Sequence, residues 1–389
     1  MKKILKKIWW AIKLFFTRIY YGNPSKKLKI IGVTGTNGKT TIATLLYKVA
    51  TELGYKAGLI STVENIVVKE IKQTTHTTPD SISLIKLFAQ MVKAGCQYIF
   101  MEVSSHALDQ NRVAGIKFTG GIFTNLTHDH LDYHKNFENY FKAKKKFFKM
   151  LPENAFALSN TDDKYGNAML DSIKAKKYTY GFKNKADFNE RLETKLIGEF
   201  NAYNTSAVYA TMILLGKDKL KIKEIMKNLE PVEGRFNYIK SSSGVTGIVD
   251  FAHTSDALEN VLRTIQAMRK KNQKIISLFG CGGDRDSLKR PIMTKIVYEM
   301  SDIIIPTADN SRSEDIEKIF EDMKKGLPNE ITKELYFIAD RSKAIKKACE
   351  LAKPGDYILL AGKGHEKYQE IKGVKFYFND MEELKKFLK

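Results

Sequence analysis

The segment from Gly35 to Thr41 (Gly-Thr-Asn-Gly-Lys-Thr-Thr) has the residue types of a phosphate-binding loop. It lies between an apolar run at 28–33 and the start of a helix-like pattern. Glycine lets a backbone approach a ligand closely, and the N–H groups at the start of a helix point towards an anion. In such a loop Lys39 would reach the β- and γ-phosphates and Thr40 would hold Mg²⁺. The pattern therefore predicts ATP binding, and a glycine turn without a ligand is the alternative.

Two more polar residues lie at the ends of predicted strands. Glu102 closes the strand-like run 98–102, and His130 follows the run 120–125. Because an open parallel sheet builds its binding site beyond the carboxyl ends of its strands, both side chains could join Thr40 around Mg²⁺. Taken singly, each is equally well a solvated polar residue at the end of a strand.

A lysine interrupts the apolar face of a predicted helix over 137–151. The apolar residues on this face are Phe137, Tyr140, Phe141, Phe147, Phe148 and Leu151. Lys144 falls in the middle of the face. A lysine in an apolar stripe normally extends its amine to water. The alternative is an amine that burial keeps uncharged, which reacts with CO₂ to form a carbamate and so becomes an oxygen ligand for a metal.

The elements that would position these residues follow an α/β pattern. Helix-like and strand-like segments alternate along the 389 residues, a length that predicts two domains. Near Arg235 the sequence pattern changes and a new series of strand-like runs begins, so we place the domain boundary there. We therefore expect residues 28–235 to form a P-loop ATPase domain with a mostly parallel sheet. Residues 236–389 are expected to form a Rossmann-like α/β domain.

The composition narrows the class of partner. Lys and Arg number 65 against 44 Asp and Glu, which gives a formal net charge of +21 and favours an anionic partner. The aromatic residues are not interleaved with the basic ones on a recognisable platform, and no nucleic-acid motif is present, so we expect no nucleic-acid role. Three widely spaced cysteines form neither a zinc-binding pattern nor a disulfide framework.

Residues 1–27 stand apart from both predicted domains. Read as a helix, residues 1–21 place mostly apolar side chains on one face and basic side chains on the other. The apolar runs are too short and too often interrupted by charge for a transmembrane helix, and no signal-peptide cleavage site follows. A basic amphipathic helix either lies on an anionic membrane surface or covers an apolar patch of its own protein, and the pattern favours the two equally.

Several longer motifs extend the phosphate loop into a family resemblance. They occupy residues 102–113, 124–134, 250–254, 279–291, 309–312 and 361–366. From residue 28 to the C-terminus, these motifs and their order resemble the Mur ligase family, and within it the MurE type. The resemblance implies a central ATP-binding domain over 28–235 and a C-terminal amino-acid-binding domain over 236–389.

The resemblance also implies a role for individual residues. The catalytic residues would be Lys39, Glu102, His130 and Lys144. The ATP-binding residues would be Gly35, Thr36, Asn37, Gly38, Lys39, Thr40, Thr41, Asn204 and Arg235. The metal ligands would be Thr40, Glu102, His130 and Lys144, the last as a carbamate formed from CO₂. Contacts to the muramoyl-peptide fall on Thr77, Thr78, Ser104, Gln110 and Arg112. The pocket for the incoming amino acid falls on Arg285, Asp309, Asn310, Arg312, Gly362 and Glu366.

The implied reaction is an ATP-dependent, ADP-forming ligation in the cytoplasm that joins an amino acid to a UDP-N-acetylmuramoyl-dipeptide through an acyl phosphate. Arg312 keeps the contact for the carboxylate of the amino acid, so meso-diaminopimelate is the favoured donor and L-lysine the next. Ser311 stands where diaminopimelate-type enzymes have proline, which loosens the loop.

Enzymes of this type carry an N-terminal UDP-binding domain, for which we expect only the basic helix here. One alternative is therefore a Mur-type ligase that acts on a lipid-linked or non-murein carboxylate at the inner face of the membrane. Another is an enzyme for which a partner supplies UDP recognition. A third is a non-catalytic nucleotide-binding partner, and the joint presence of Lys39, Glu102, His130 and Lys144 argues against it.

Overall fold

The computed structural model of the protein describes residues 13–17, 19–72, 74 and 76–388. The chain divides into two compact units. The first comprises Met1–Thr127, His134–Lys195 and Phe200–Leu229. The second comprises His128–Tyr133, Leu196–Glu199 and Glu230–Lys389. Residues 1–12 and Arg18 of the predicted basic helix lie outside the described residues, whereas 13–17 and 19–20 are helical.

An eight-stranded sheet forms the centre of the first unit. Its strands are β1 (Lys29–Thr34), β2 (Ala57–Ile60), β3 (Asn65–Val67), β4 (Glu70–Lys72), β5 (Tyr98–Glu102), β6 (Phe118–Phe123), β7 (Phe156–Asn160) and β8 (Lys176–Tyr180). They lie in the order β4-β3-β2-β5-β1-β6-β7-β8, and β2, β5, β1, β6, β7 and β8 run parallel. A short 3₁₀ helix, Pro24–Lys27, precedes the sheet. The helices are Lys39–Glu52, Ser81–Lys93, Ser105–Asp109, Phe137–Lys149, Gly166–Leu170, Glu199–Leu214 and Lys219–Lys227.

The position of β1 between β5 and β6 determines what surrounds the phosphate loop. Val33 near the end of β1 pairs with Glu102 at the end of β5, and Thr34 pairs with Phe123 at the end of β6. The loop that follows β1 is therefore flanked on both sides by the segments that follow its neighbours. This is the sheet edge at which parallel α/β folds bind ligands.

The helix Phe137–Lys149 packs closely on β1 and β6. A Cβ atom on Gly32 of β1 would lie 2.6 Å from the ring of Phe147, and one on Gly121 of β6 would lie 2.8 Å from the same ring. Glycine at both positions therefore allows the helix to approach the sheet. The predicted apolar face is confirmed at its centre, because Tyr140, Phe147 and Phe148 are fully buried.

A second sheet forms the centre of the second unit. Its strands are β9 (Asn237–Lys240), β10 (Thr246–Asp250), β11 (Ile275–Cys281), β12 (Ile303–Ala308), β13 (Glu334–Leu335) and β14 (Tyr357–Ala361). Their order is β13-β12-β11-β14-β10-β9, parallel except for β9. The strands β15 (Tyr368–Ile371) and β16 (Val374–Tyr377) form a separate antiparallel hairpin. The helices are Leu131–His134, whose last residue belongs to the first unit, Ser255–Met268, Lys289–Met300, Ile316–Lys324, Arg341–Leu351 and Asp380–Phe387.

A buried ion pair ties together the ends of two strands in this unit. Arg341 donates two hydrogen bonds of 2.7 Å to the carboxylate of Asp380, and neither side chain is exposed. The same guanidinium donates to the carbonyls of Ala308, at the end of β12, and Ala361, at the end of β14. The residues that follow those two strands therefore start from fixed backbone positions.

The predicted fold class is confirmed, because both units are α/β and both sheets are mostly parallel. The first has a phosphate loop between its central strand and a helix, and the second has the Rossmann-like layering of parallel strands and helices. Within the described residues, no helix has the length and apolar character needed to cross a membrane.

Candidate active site

The phosphate loop is folded so tightly that two of its positions exclude larger residues. A Cβ on Gly35 would lie 1.7 Å from the hydroxyl of Thr124, which itself donates to the carbonyl of Asn37 at 2.6 Å. Gly38 has a positive φ of 87°, and a Cβ there would lie 2.6 Å from Oδ1 of Asn204. The segment after β6 and the helix Glu199–Leu214 therefore hold the loop from two sides.

Polar contacts complete the support of the loop. The Asn37 N–H donates to Oδ1 of Asn125 at 2.9 Å. The hydroxyl of Thr36 lies 3.1 Å from that of Tyr140 and accepts from the Thr127 N–H at 3.0 Å. Thr41, in the first turn of the following helix, is buried. These contacts fix the conformation of the loop.

Two lysine amines meet at one carbonyl of this loop. Lys39 Nζ donates to the carbonyl of Gly35 at 2.9 Å and to that of Thr36 at 2.7 Å. Lys144 Nζ donates to the same Gly35 carbonyl at 2.8 Å and lies 4.5 Å from the ring centroid of Tyr140. Lys144 is 1% exposed, so the expectation that its amine extends to water is wrong.

The carboxylate of Glu102 is buried beside the loop. It accepts hydrogen bonds from the Thr40 hydroxyl at 2.8 Å, from the Thr62 N–H at 2.7 Å and from the Thr62 hydroxyl at 3.1 Å. Among the described residues it has no ion pair, and it is 1% exposed. A buried carboxylate that is bonded only to neutral groups favours the arrival of a cation. Oxygen donors of this kind suit Mg²⁺.

Thr62 was not predicted from the sequence. It follows the end of β2, in the same way that the predicted polar residues follow β5 and β6. Its position after a strand could therefore have marked it as a candidate. The sequence did not show that β2 lies beside β5, and so it did not show that Thr62 reaches Glu102.

Hydrogen bonds link Glu102 to the predicted muramoyl-peptide contacts. The hydroxyl of Thr78 donates to the Glu102 carbonyl at 2.9 Å and accepts from the Ser104 N–H at 3.1 Å. The hydroxyl of Thr77 accepts from that of Thr62 at 3.0 Å. The structure thus brings Thr77, Thr78 and Ser104 together around Glu102, Thr78 at its backbone carbonyl and Thr77 through the hydroxyl of Thr62.

Arg112 and Gln110 extend the same cluster. Arg112 donates through Nη1 to the carbonyl of Thr78 at 3.0 Å. Its Nε and Nη2 atoms donate to Oε1 of Gln110 at 2.9 and 2.6 Å. All five residues predicted to contact the muramoyl-peptide therefore belong to one hydrogen-bonded group that includes a guanidinium, which suits an anionic substrate.

His130 and Arg235 belong to the second unit. His130 has a positive φ of 55°, and its Nε2 lies 3.3 Å from the carboxylate of Asp129. Arg235 lies 4.5 Å from the ring centroid of Phe251. In the described part of the chain no group of three or more His, Cys, Asp or Glu side chains could hold a metal ion. A magnesium site in the first unit would therefore depend on Glu102 and on hydroxyl ligands.

The second unit buries a lysine that the sequence analysis did not single out. The Lys363 amine is unexposed and lies 3.2 Å from Oε2 of Glu366, 3.6 Å from Oδ1 of Asp309 and 3.2 Å from Oδ1 of Asn310. Asn310 also donates to Glu366 at 2.8 Å. Gly362 has a φ of 114°, and a Cβ there would lie 2.9 Å from the Asp309 carboxylate.

The close spacing of charges in this cluster affects the pKa of Glu366. Burial, followed by the neighbouring charge of Asp309, raises the pKa of Glu366, while the Lys363 ammonium opposes the rise. Lys363 lies within a predicted motif, between Gly362 and Glu366, so its position was available from the sequence even though its role was not.

Two arginines lie at the edge of this cluster. Arg312 has a positive φ of 52°, and its Nη1 donates to the carbonyl of Gly283 at 2.6 Å. A Cβ on Gly282 would lie 3.0 Å from Arg312 Nη1 and 3.6 Å from Cγ of Arg285, which places both side chains around one point. Arg285 is exposed. The six residues predicted to bind the incoming amino acid thus lie on the neighbouring loops that follow β11, β12 and β14.

The two clusters differ in the ligand that each suits. The first combines a phosphate loop, two amines and a buried carboxylate, which suits a nucleoside triphosphate with a divalent cation. The second combines paired acidic and basic groups with two arginines, which suits an ammonium and a carboxylate on one small molecule. Together they define an α/β protein with a P-loop domain and a second domain for a charged substrate.

Two family models match these units. The Mur ligase middle domain matches residues 33–212, and the model described as Mur ligase, glutamate ligase domain matches residues 234–364. The chain belongs to the Mur ligase family, as the motifs predicted. Members of this family generally use ATP and Mg²⁺.

Three similar proteins share one name. A UDP-N-acetylmuramoyl-L-alanyl-D-glutamate–2,6-diaminopimelate ligase of Cytophaga hutchinsonii is 52% identical over 95% of this chain and 79% of its own length. One of the same name from Aquifex aeolicus is 42% identical over the same shares. A solved structure of a ligase with that name is 34% identical, with a TM-score of 0.63 over 93% of this chain and 78% of its own.

A more distant structure shares the fold alone. The folylpolyglutamate synthase of Mycobacterium tuberculosis, complexed with ADP and AMPPCP, has a TM-score of 0.72 at 14% identity. It covers 91% of this chain, and 92% of its own length is matched. The two proteins therefore share the fold.

Proposed function

We propose that this protein is an ATP-dependent, ADP-forming ligase that joins meso-diaminopimelate to UDP-N-acetylmuramoyl-L-Ala-D-Glu in peptidoglycan precursor synthesis. The observation that carries the proposal is the 52% identity, over 95% of the chain, to a relative named for this reaction. The buried carboxylate beside a phosphate loop and the charge-paired cluster in the second unit support it. L-Lysine is the alternative amino acid.

In this proposal each domain binds different substrates. Residues 28–235 would bind ATP through the loop Gly35–Thr41 and Asn204, with Arg235 at their end as a further nucleotide contact. The hydroxyls and the guanidinium linked to Glu102 would hold the acceptor peptide. Residues 236–389 would bind the amino acid, with Arg312 paired to its carboxylate.

Mg²⁺ fits the first unit. Thr40 and Glu102 would hold it, and a carbamate on Lys144 would add an oxygen ligand. His130, the further ligand predicted from the resemblance, belongs to the second unit. The ion would supply charge neutralisation at the phosphates. The carbamate is supported by the position of the two amines at the Gly35 carbonyl. Carbamate formation requires the neutral form of the amine, and burial disfavours the charged form of a lysine. A neutral amine then attacks CO₂, forming an N–C bond and releasing one proton.

The ligation proceeds in two steps. A carboxylate oxygen of the acceptor attacks the γ-phosphorus of ATP, and the bond to the ADP oxygen breaks, so that an acyl phosphate and ADP form. The neutral amine of the amino acid then attacks the acyl carbon, phosphate leaves, and the amine loses a proton. Lys39 would offset the negative charge on the transferred phosphoryl group, while Arg112 and Arg312 would orient the two substrates.

Ligation by the purified protein tests the proposal. The protein is incubated with ATP, Mg²⁺, bicarbonate and UDP-N-acetylmuramoyl-L-Ala-D-Glu, and each candidate amino acid is offered separately. We expect mass spectrometry to detect the diaminopimelate adduct. An adduct with lysine alone would change the assigned amino acid. ATP binding without any adduct would favour a lipid-linked acceptor or a partner that supplies UDP recognition.

Replacement of the buried lysine tests the carbamate. We expect Lys144→Ala to abolish ligation, since the variant has no amine to carbamylate, and a short-chain carboxylate to restore part of the activity. Lys142→Ala is the matched control, because Lys142 lies on the same helix, is exposed and pairs with Glu138. Full activity of Lys144→Ala without added carboxylate would contradict the assignment.

We also propose that the enzyme works in the cytoplasm and that residues 1–21 contact the inner face of the membrane. The described part of this segment supports the contact, because Phe15, Phe16 and Ile19 are 61%, 62% and 58% exposed. Flotation with vesicles tests it. We expect binding to vesicles that contain anionic phospholipid and little binding to neutral ones. Equal recovery with both, or with neither, would contradict the contact.

A further inference from the structure

The hairpin formed by β15 and β16 contacts the loop that carries Arg312. The Arg312 N–H donates to the carbonyl of Glu370 at 3.1 Å, and the Lys372 N–H donates to the carbonyl of Arg312 at 2.6 Å. One edge of β15 pairs with β16. The opposite edge pairs with the backbone of Arg312. The loop extends the hairpin by one bridged residue, Arg312 opposite Ile371.

Two further hydrogen bonds fix the residues before Arg312. The side-chain amide of Gln369 donates to the carbonyl of Asp309 at 3.0 Å. The Glu370 N–H donates to Oδ1 of Asn310 at 2.9 Å, and Asn310 in turn donates to Glu366. Thus β15 holds both ends of the segment from Asp309 to Arg312.

The segment needs such support because its conformation is not favoured locally. Arg312 has a φ of 52°, in the left-handed region that a residue with a Cβ seldom adopts. Ser311, between Asn310 and Arg312, lacks the fixed φ that a proline at this position would have. The long-range hydrogen bonds from β15 therefore keep the guanidinium of Arg312 at the amino-acid cluster.

Besides this loop, the hairpin contacts the following helix through the Tyr377 hydroxyl, which donates to the carboxylate of Glu382. It also contacts the charged cluster through Tyr368, whose ring centroid lies 5.6 Å from the Lys363 amine. Its outer strand, β16, is exposed along its length, with Val374 53%, Phe376 54% and Tyr377 68% exposed. An isolated two-stranded hairpin is at best marginally stable in water. The order of the hairpin and the order of the Asp309–Arg312 segment therefore depend on each other.

We infer that β15 borders the amino-acid pocket through its contacts with the loop 309–312, and that Gln369 is a positioning residue that sets the affinity for the amino acid through this loop. The inference rests on the proposed function, in which that loop binds the amino acid. Gln369 acts through the Asp309 carbonyl and does not itself need to touch the substrate.

Two substitutions of Gln369 test the inference. Gln369→Glu keeps the size of the side chain but places an acceptor against the Asp309 carbonyl, and Gln369→Ala removes the contact. We expect both to raise KM for diaminopimelate about tenfold, with KM for ATP, kcat and the melting temperature nearly unchanged, because one hydrogen bond to the loop is lost. Val374→Ala, on the exposed strand of the same hairpin, should leave all of these values unchanged.

Hydrogen exchange provides the second readout. We expect the Arg312 amide to exchange about tenfold faster in both Gln369 variants than in the wild type, because the loop opens more often. Unchanged exchange together with unchanged KM would overturn the inference, and so would a parallel rise of every KM with a lower melting temperature. A wild-type protein that ligates no amino acid would overturn the proposed function instead, and the exchange rate would still decide whether Gln369 holds the loop.

Discussion

Glu102 in the first unit and Lys363 in the second are both charged and fully buried, but their surroundings differ. Glu102 accepts from two threonine hydroxyls and a backbone N–H, and no described cation pairs with it. Lys363 lies within 4 Å of two carboxylates, those of Asp309 and Glu366. One charge is thus surrounded by neutral groups, and the other is already compensated.

The difference indicates how each unit meets its ligand. A buried charge without a counterion is costly, so the first unit gains stability when a ligand supplies the missing cation. The second unit already balances its charges, so its ligand must match a fixed pattern of positive and negative groups. We therefore expect charge removal to affect metal-dependent chemistry in the first unit and substrate selection in the second.

Neutralising Glu102 is expected to have the largest effect. Glu102→Gln keeps the shape of the side chain but removes the charge, so kcat/KM should fall by about a thousandfold or more, with a weaker response to Mg²⁺. Thr62→Val removes one supporting hydroxyl and should lower kcat/KM by about tenfold. Steady-state rates across a Mg²⁺ titration measure both effects.

The exposed Glu52, at the end of the helix that follows the phosphate loop, provides the control. Glu52→Gln should retain the wild-type rate. Near-normal activity of Glu102→Gln at ordinary Mg²⁺ concentrations would show that the buried carboxylate does not interact with a cation, and the contrast between the two units would then be lost.

Removing the guanidinium from the second cluster is expected to act on one substrate only. Arg312→Gln should raise KM for diaminopimelate about a hundredfold and change KM for ATP little, since a charge-assisted pair with the carboxylate is lost. Initial rates with each substrate varied in turn measure the split. Arg263→Gln, which alters an exposed arginine paired with Glu259, is the control. Equal rises in both KM values would contradict the division between the units.

The smallest expected effect is a pH dependence of stability in the second unit. Burial, with the nearby positive charge of Arg235, lowers the pKa of His365 to about 3. The unfolded chain binds a proton at this residue below its ordinary pKa of about 6.5. Between these values the unfolded state holds more protons, so the free energy of unfolding rises with pH and loses this contribution as pH falls.

Urea denaturation at several pH values measures that slope. We expect His365→Gln to reduce the slope by at most about 1.4 kcal/mol per pH unit, which corresponds to one proton. His76→Gln, at an exposed histidine, is the control. An unchanged slope in His365→Gln would show that this histidine is not held neutral by the fold.

The local patterns of the sequence were sufficient for part of the strands, for the phosphate loop and for the phase of one helix, whereas strands such as β7, β8 and the β15–β16 hairpin were not predicted. The bounds of β1 and β5 agree closely with the predicted strand-like runs. Lys144 lies on the apolar face of its helix, as the 3.6-residue period predicted. These features depend on neighbours along the chain. Whether the Lys144 amine reached water could not be predicted, because that depended on the Gly35 carbonyl more than a hundred residues away.

The contacts that were missed depend on which strands are neighbours. Thr62 reaches Glu102 because β2 lies beside β5, and Gln369 reaches Asp309 because the hairpin pairs with a loop from another part of the chain. Neither pairing has a local signal. Lys363 was visible inside a motif and lies three residues before Glu366, but its pairing with Asp309 depends on the segments that follow β12 and β14, two strands separated by β11.

The most direct test of the central claim follows one oxygen atom. The acceptor carboxylate of UDP-N-acetylmuramoyl-L-Ala-D-Glu is labelled with oxygen-18, and ligation is run with ATP, Mg²⁺ and diaminopimelate. If the first unit forms an acyl phosphate that the amine bound by the second unit then attacks, the released phosphate carries one labelled oxygen for each amide formed. Ligation in which that labelled oxygen appears in AMP or in water instead of inorganic phosphate would contradict this account.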